Sequence, residues 1–163
     1  MSWSTKKPSR QLPLESIGNC FRVALRPRLR TADLRTMREK LALFEKKRLA
    51  SVVCVSGLAT GSDLGWLAAA PREAREEYFG EMASLLEHLG DGPALGTVVT
   101  LDGNVCGSAI GIAAHATGCV VTERTRMSLP GPAFGYVPES FATYQLARLP
   151  AGLGAYLSLT GAS

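Results

Sequence analysis

Residues 101–139 leave a folding chain few options. The apolar run Thr97 to Leu101 reads as a buried strand, and it leads into four small residues, Cys106-Gly107-Ser108-Ala109. Those open a second apolar run, Ile110 to Ala114. A β-rich piece follows, Cys119-Val120-Val121-Thr122, then a Pro-Gly-Pro turn and Phe134-Gly135. Small residues where a strand gives way to a helix let the backbone come close to a ligand. The first free N–H groups of the helix can receive an anion there.

A related pattern lies upstream. Ser51-Val52-Val53-Cys54-Val55 is nearly continuous in apolar character, as expected of a strand covered on both faces. It runs into Gly57-Leu58-Ala59-Thr60-Gly61-Ser62-Asp63-Leu64, where Asp63 is placed to cap a helix. Pro71 takes the first position of a longer helix, with Glu73, Glu76 and Glu77 near its positive end. Tyr78, Met82, Leu85, Leu86 and Leu89 form that helix's core face, Gly90 stops it, and His88 on its last turn reads as structural. Nearer the start, Phe21 to Leu25 alternates like a half-buried strand that Pro27 ends. Thr31 then caps a helix with Asp33 in its first turn and Leu34, Met37, Leu41 and Phe44 on one face. Near the other end, Phe141, Tyr144, Leu146 and Leu149 are expected to pack one short helix. Leu153, Tyr156, Leu157 and Leu159 pack a second.

At 163 residues and 46% hydrophobic, the chain is one ordinary globular domain with enough length for a real core. It has no apolar run of about 18 residues, which argues against a membrane span. The four cysteines lie far apart without C-x-x-C pairing, and neither histidine sits at ligand spacing from them. They read as reduced, buried thiols, and no metal site is expected. Charge is unevenly spread. Residues 1–48 carry thirteen Lys/Arg against four Asp/Glu, while the rest carries five against ten. One reading turns this third toward an anionic partner. Arg22, Arg26, Arg28 and Arg30 alternate along and just past a strand, and Arg35, Arg38, Lys46 and Lys47 extend the set along a helix. The other reading is a solvated helix face, with the late lysines answering the helix dipole. Residues 1–19 are taken as a basic N-terminal arm, and 20–163 as the folded domain.

Several of these residues fall into a known frame. Thr122-Glu123, Leu129-Pro130, Gly135 and Val137-Pro138-Glu139 follow the glycine turn in an order and spacing that resemble the crotonase (enoyl-CoA hydratase/isomerase) superfamily. The 3-hydroxyisobutyryl-CoA hydrolase branch is the most similar. Thr60-Gly61-Ser62-Asp63-Leu64 is similar to that family's Ala-Gly-x-Asp turn, Arg26-Pro27 to its Asn-Arg-Pro, and His115 to a histidine on the helix after the glycine turn. The resemblance covers about residues 20–161. It implies an α/β, crotonase-type fold of repeated strand–strand–helix turns, lacking the C-terminal helical part.

The same comparison assigns roles. Ser62 and Ser108 take the two backbone donor positions of the family's oxyanion hole, while Thr60, Asp63 and Leu64 take positions that wrap coenzyme A. The catalytic glutamate's place is held by Gly131, which has no acid or base. A second carboxylate survives as Glu139, where the family has aspartate. The resemblance therefore implies a degenerate enzyme with no cofactor. Hydrolase-like members of this superfamily have been recruited into the small subunit of mitochondrial ribosomes, and a relative binds AU-rich RNA. The expected partners are ribosomal RNA and ribosomal proteins, in the mitochondrion and away from membranes. The alternative is an active acyl-CoA thioester hydrolase or hydratase, a homotrimer using coenzyme A thioesters and Glu139. A scaffold with a protein partner alone is a third reading.

Overall fold

The computed structural model describes residues 14–17, 20–90, 96–137, 140 and 142–162. Its backbone is a sheet built from β1 (Leu14–Ile17), β2 (Cys20–Ala24), β4 (Ala50–Ala59), β6 (Thr97–Cys106) and β7 (Gly118–Val121), in that spatial order. A further strand, β8 (Arg126–Ser128), continues beside β6. All pairings are parallel except β1 with β2. A small second sheet pairs β3 (Arg28–Leu29) with β5 (Gly61–Ser62). The helical connections are α1 (Thr31–Lys46), α2 (Leu64–Ala69), α3 (Arg72–Gly90) and α4 (Ser108–His115), and α5 (Ala142–Ala147) and α6 (Leu153–Thr160) follow. This is the expected α/β alternation of strands and crossover helices.

Register explains the core. Val23 lies beside Val53 and Val53 beside Val99, and all three are fully buried. Paired residues of parallel neighbours point to one side, so these valines, with Val55 and Leu101, make a single apolar floor. Onto it α1 lays Leu34, Met37, Leu41 and Phe44, α3 lays Tyr78, Met82, Leu85, Leu86 and Leu89, and α4 lays Ile112. These are the faces that helical periodicity marked in the sequence.

The opposite sheet face departs from expectation. Val52 and Cys54 are only half-buried and Val98 is exposed, so β4 and β6 are covered on one side rather than two. The reason is that α1, α3 and α4 all join the same core cluster. The edge strand β7 leaves Cys119 exposed, so the expectation of buried thiols fails there, and Cys54 and Cys106 are half-buried; all three are free thiols. Part of the stretch read as an N-terminal arm is sheet, because Leu14–Ile17 pairs antiparallel with β2.

Two helix starts also shift. Arg30, not Thr31, is the N-cap of α1: its N–H donates to the Asp33 carboxylate at 3.1 Å, leaving Thr31 as the first helical residue. Pro71 immediately precedes α3 and accepts the Arg75 N–H at 3.2 Å. Near the other end, Ala142 and Leu146 are buried, with Leu157 packed against them, but Tyr144, Tyr156 and Leu159 are exposed. Phe141 lies outside the described residues. Helix α6 meets α5 at Gly154, its buried residue, where an added Cβ would stand 1.8 Å from the Leu146 carbonyl oxygen. That crossing turns the faces bearing Leu153, Tyr156 and Leu159 away from α5.

The glycines give a paired test. Gly154→Ala should destabilise the chain by about 1–3 kcal/mol or more, because the clash is with backbone. Gly80→Ala, on the open surface of α3 with nothing within 4 Å of the new methyl, should stabilise it by roughly 0.5–1 kcal/mol. Urea midpoints moving in the same direction for both variants would contradict this packing.

Candidate functional site

Two turns at one edge of the sheet build the site. The first begins where β4 ends: Thr60 donates its N–H to the Pro27 carbonyl at 2.7 Å and its hydroxyl to the same oxygen at 3.0 Å. Gly61 adopts φ +72, Ser62 joins the short β3–β5 ladder, and Asp63 donates its N–H to the Leu29 carbonyl at 3.0 Å. Asp63 then caps α2 by accepting the Trp66 N–H at 3.3 Å, as its sequence position predicted. Its other oxygen accepts both Nε and Nη2 of Arg30 at 2.8 Å. The Arg30 hydrogen bond holds the Asp63 carboxyl below the usual carboxylate range, against the opposing effect of burial.

The second turn follows β6. Gly107 takes φ +58 and its N–H reaches the Ser128 carbonyl at 3.2 Å, which starts α4 at Ser108. As the first helical residue, Ser108 has a backbone N–H with no acceptor inside its own helix. The turns then touch. Ser62 and Ser108, both buried, place their hydroxyl oxygens 2.9 Å apart, and the Tyr78 hydroxyl donates to Ser62 Oγ at 2.6 Å. A Cβ on Gly61 would lie 2.5 Å from Ser108 Oγ and 2.6 Å from its nitrogen. With positive φ as well, only glycine serves there. The structure thus brings together Thr60, Ser62, Asp63 and Ser108, as read from the sequence. It adds Tyr78, which periodicity marked only as core.

Beside the turns lies a pocket of about 40 Å³ bordered by Thr60, Leu64, Gly107, Pro130, Gly131 and Tyr136. That is room for a water or so, against the roughly 300–1,000 Å³ of ordinary ligand sites. No carboxylate, histidine, lysine or cysteine is among its described lining residues. Gly131 opens a 3-10 turn, Gly131–Phe134, and its carbonyl accepts the Tyr136 N–H at 2.9 Å. A Cβ at Gly131 would meet the Tyr136 carbonyl oxygen at 2.6 Å. The place of a side chain is therefore taken by backbone. Glu139 lies outside the described residues.

The basic residues are dispersed and largely paired. Arg26 meets Asp33 at 3.2 Å and Arg30 meets Asp63. Arg35 bridges Glu77 at 2.6 Å and Glu81 at 3.0 Å, and Arg38 reaches Glu81 at 3.1 Å. Hydrogen bonding from Arg35, then Arg38, holds the Glu81 carboxyl below its usual range despite partial burial. Arg22 donates Nε to Cys54 Sγ at 3.2 Å on the half-open sheet face. Among the described residues, Arg28, Lys46 and Lys47 are exposed and have no carboxylate at ion-pair distance. Much of the basic set is therefore tied into ion pairs within the chain: α3 answers α1 with carboxylates. The signal was present in the charge split itself, since a basic third and an acidic remainder of one chain can pair with each other. His88 sits 3.8 Å from Glu45, and His115 Nδ1 lies 2.8 Å from the Gly111 carbonyl, both within the packing of helices. Among the described residues no cluster of His, Cys, Asp or Glu could hold a metal ion, and no helix is long and apolar enough to cross a membrane.

Comparison with known proteins agrees with this geometry. Residues 28–163 match the family described as enoyl-CoA hydratase/isomerase. A small ribosomal subunit protein, mS47 of Neurospora crassa, is 31% identical over 140 residues, covering 79% of this chain and 27% of that protein. The 3-hydroxyisobutyryl-CoA hydrolase 1 of Arabidopsis thaliana is 40% identical over 65 residues, 40% of this chain and 17% of the enzyme. Among solved structures, a carnitinyl-CoA dehydratase from Mycobacterium thermoresistibile superposes with a TM-score of 0.82 at 26% identity, covering 94% of this chain and 48% of that one. The chain thus spans about a quarter of the length of the ribosomal relative and less of the hydrolase.

Two measurements test the site's construction. Gly131→Ala and Gly131→Glu should each destabilise the fold by about 1–3 kcal/mol, because the Tyr136 carbonyl must move. For Asp63 the sign follows from its lowered pKa. The stabilisation is complete above the unfolded value of about 3.9 and is lost as pH falls through the folded value. Asp63→Asn should therefore be less stable than wild type at neutral pH, with the gap closing below about pH 4. A gap that persists unchanged into acid would refute the Arg30–Asp63 account.

Proposed function

The chain belongs to the enoyl-CoA hydratase/isomerase family, and from that premise we propose that it is a catalytically degenerate, 3-hydroxyisobutyryl-CoA hydrolase-like protein. It acts as a structural, RNA-associated component of the small subunit of the mitochondrial ribosome. The observation that carries the reading is at Gly131: the resemblance puts the catalytic carboxylate there, and the Tyr136 carbonyl occupies the space a side chain would need. General acid–base catalysis, about 10²–10⁴ in rate, has no described carrier in the pocket. The 79% coverage shared with the mS47 relative supports the ribosomal assignment, and similarity to a mitochondrial 3-hydroxyisobutyryl-CoA hydrolase of Xenopus tropicalis supports the location.

Contact with RNA falls to the cations the fold leaves available. Arg28 lies just before α1 and Lys46 and Lys47 at its end, so they stand about 24 Å apart along a 16-residue helix. They serve as two separate phosphate contacts rather than one patch. Arg26, Arg30, Arg35 and Arg38 hold the fold together and reach RNA only with the donors their carboxylates leave over. Described aromatic residues are sparse around this set and Phe44 is buried, so binding is led by phosphate and tolerant of sequence.

One observation favours the enzyme instead. Ser62 and Ser108, which the resemblance puts at the two oxyanion-hole positions, lie side by side with their hydroxyl oxygens 2.9 Å apart, and an acyl-CoA thioester hydrolase or hydratase acting through Glu139 would use their backbone N–H groups. Assays separate the readings. The degenerate protein shows no hydrolysis of 3-hydroxyisobutyryl-CoA and no hydration of crotonyl-CoA, and it co-sediments with small ribosomal subunits. Turnover that Glu139→Ala abolishes, or a free homotrimer absent from ribosomal particles, would select the enzyme. Charge reversal at Arg28, Lys46 and Lys47 together should weaken particle association and lower its salt dependence by about 1.4 in log–log slope, at roughly 0.7 for each of the two phosphate contacts. Unchanged association in that variant at physiological salt would remove RNA from the proposal.

A further inference from the structure

Helix α1 closes on an arginine where a glycine would ordinarily stand. Arg48 adopts φ +53, and the other described non-glycine residues at positive φ, Ser140 and Ala151, are small. Around Arg48 the backbone completes the turn. Lys47 donates its N–H to the Leu43 carbonyl at 3.2 Å, Arg48 to Glu45 at 2.8 Å and Leu49 to Phe44 at 2.9 Å. Leu49 packs against the core cluster that holds Phe44. These are the bonds of a Schellman close, whose left-handed position usually takes glycine because a Cβ is strained there. Those carbonyls are thus satisfied without any side chain, and glycine would fill the backbone role with less strain. What Arg48 adds is its guanidinium, and strained backbone of this kind is concentrated at functional sites. We infer that Arg48 anchors an RNA backbone phosphate beside the contact made by Lys46 and Lys47, an inference that rests on the RNA-associated reading.

Charge and geometry choose the ligand. Lys46, Lys47 and Arg48 are consecutive and exposed, and among the described residues none of them has a carboxylate at ion-pair distance. Glu45, the nearest acid in sequence, has its carboxylate 3.8 Å from His88 Nε2 on α3. The dipole at the end of α1 amounts to about half a negative charge, so one cation answers it and two are surplus. Earlier arginines of the helix spend their donors inside the chain, Arg35 on Glu77 and Glu81 and Arg38 on Glu81. The planar fork of Arg48 is unspent, and it matches one phosphate with two parallel bonds. Three adjacent cations suit a ligand that repeats its charge, as a nucleic-acid backbone does, better than the single carboxylate of an acidic side chain. The one aromatic residue of this turn, Phe44, is buried, so recognition falls on phosphate rather than base.

The test titrates the full chain into a short, fluorescently labelled single-stranded RNA of mixed sequence at a series of KCl concentrations, and records thermal melting in parallel. Arg48→Gly should weaken binding by about fourfold at physiological salt and lower the log–log salt slope by about 0.7, the loss of one phosphate contact. The same variant should melt about 2–4 °C higher than wild type, because the left-handed strain is gone. Weaker binding by a more stable protein cannot come from unfolding. Arg48→Lys, which keeps the charge and loses the fork, should keep the salt slope and recover part of the affinity. Wild-type chain that fails to bind the RNA overturns the RNA-associated reading, and the inference falls with it. RNA binding that Arg48→Gly leaves unchanged overturns the inference alone. So does an Arg48→Gly variant that melts no higher than wild type, or an Arg48→Lys variant that loses the salt slope as fully as Arg48→Gly. Complete displacement of the RNA by poly-glutamate at equal charge would give the site to an acidic protein and also overturn it.

Discussion

Much of the molecule depends on two turns being pressed together with no room for a Cβ between them. Strands β4 and β6 are parallel neighbours, so both leave the sheet at the same edge, where open α/β sheets commonly place their sites. Each then reverses through a glycine at positive φ, Gly61 or Gly107, and begins a helix. Contact between Gly61 and the Ser108 backbone fixes how α4 sits against β5. Tyr78 ties α3 to the same point through Ser62. Each neutral hydrogen bond in this buried hydroxyl chain adds only about 0.5–1.5 kcal/mol. Losing one partner would leave a buried hydroxyl unpaired at about 1–3 kcal/mol, so the chain matters more for what its absence would cost.

The same edge separates what the backbone supplies from what a side chain must supply. Backbone donors come free with the fold, since any helix beginning at Ser108 has an N–H to spare. A carboxylate has to be supplied by a side chain at one position, and the described pocket lining supplies none. Where the Tyr136 carbonyl closes over Gly131, the remaining space is about 40 Å³. In the described structure these turns join α3, α4 and the two sheets at one point.

Electrostatics follows a similar economy. The cations of α1 meet the carboxylates of α3, with Glu81 shared between Arg35 and Arg38. Isolated exposed pairs of this sort contribute about 0–1 kcal/mol, while a shared, half-buried carboxylate gains more from two fixed guanidinium groups. The practical effect is orientation. Helices α1 and α3 both pack on one face of the sheet, and the ion pairs set their lateral register on the outer side. Side chains on the opposite sheet face and on the α5–α6 surface, among them Val98, Tyr144 and Tyr156, remain open around a one-sided core.

Local chemistry made a good part of this legible in the sequence. Helical spacing of Leu34, Met37, Leu41 and Phe44, and of Tyr78 through Leu89, identified faces that are buried because periodicity and burial share one geometric cause. The Asp63 cap and the small turns at Gly61 and Gly107 were readable for the same reason: a cap or a positive φ is decided within a few residues. Tertiary structure decided what depends on distant partners. Val52, Val98 and Cys119 could not be known as open, because nothing in a strand records which faces its crossover helices will cover. That Arg35 and Arg38 pair within the chain was decided only when α3 brought Glu77 and Glu81 across a separation of more than forty residues. Only the tertiary structure shows the Tyr136 carbonyl standing where a side chain at Gly131 would go, since a glycine in sequence does not say whether the space beside it is empty or occupied.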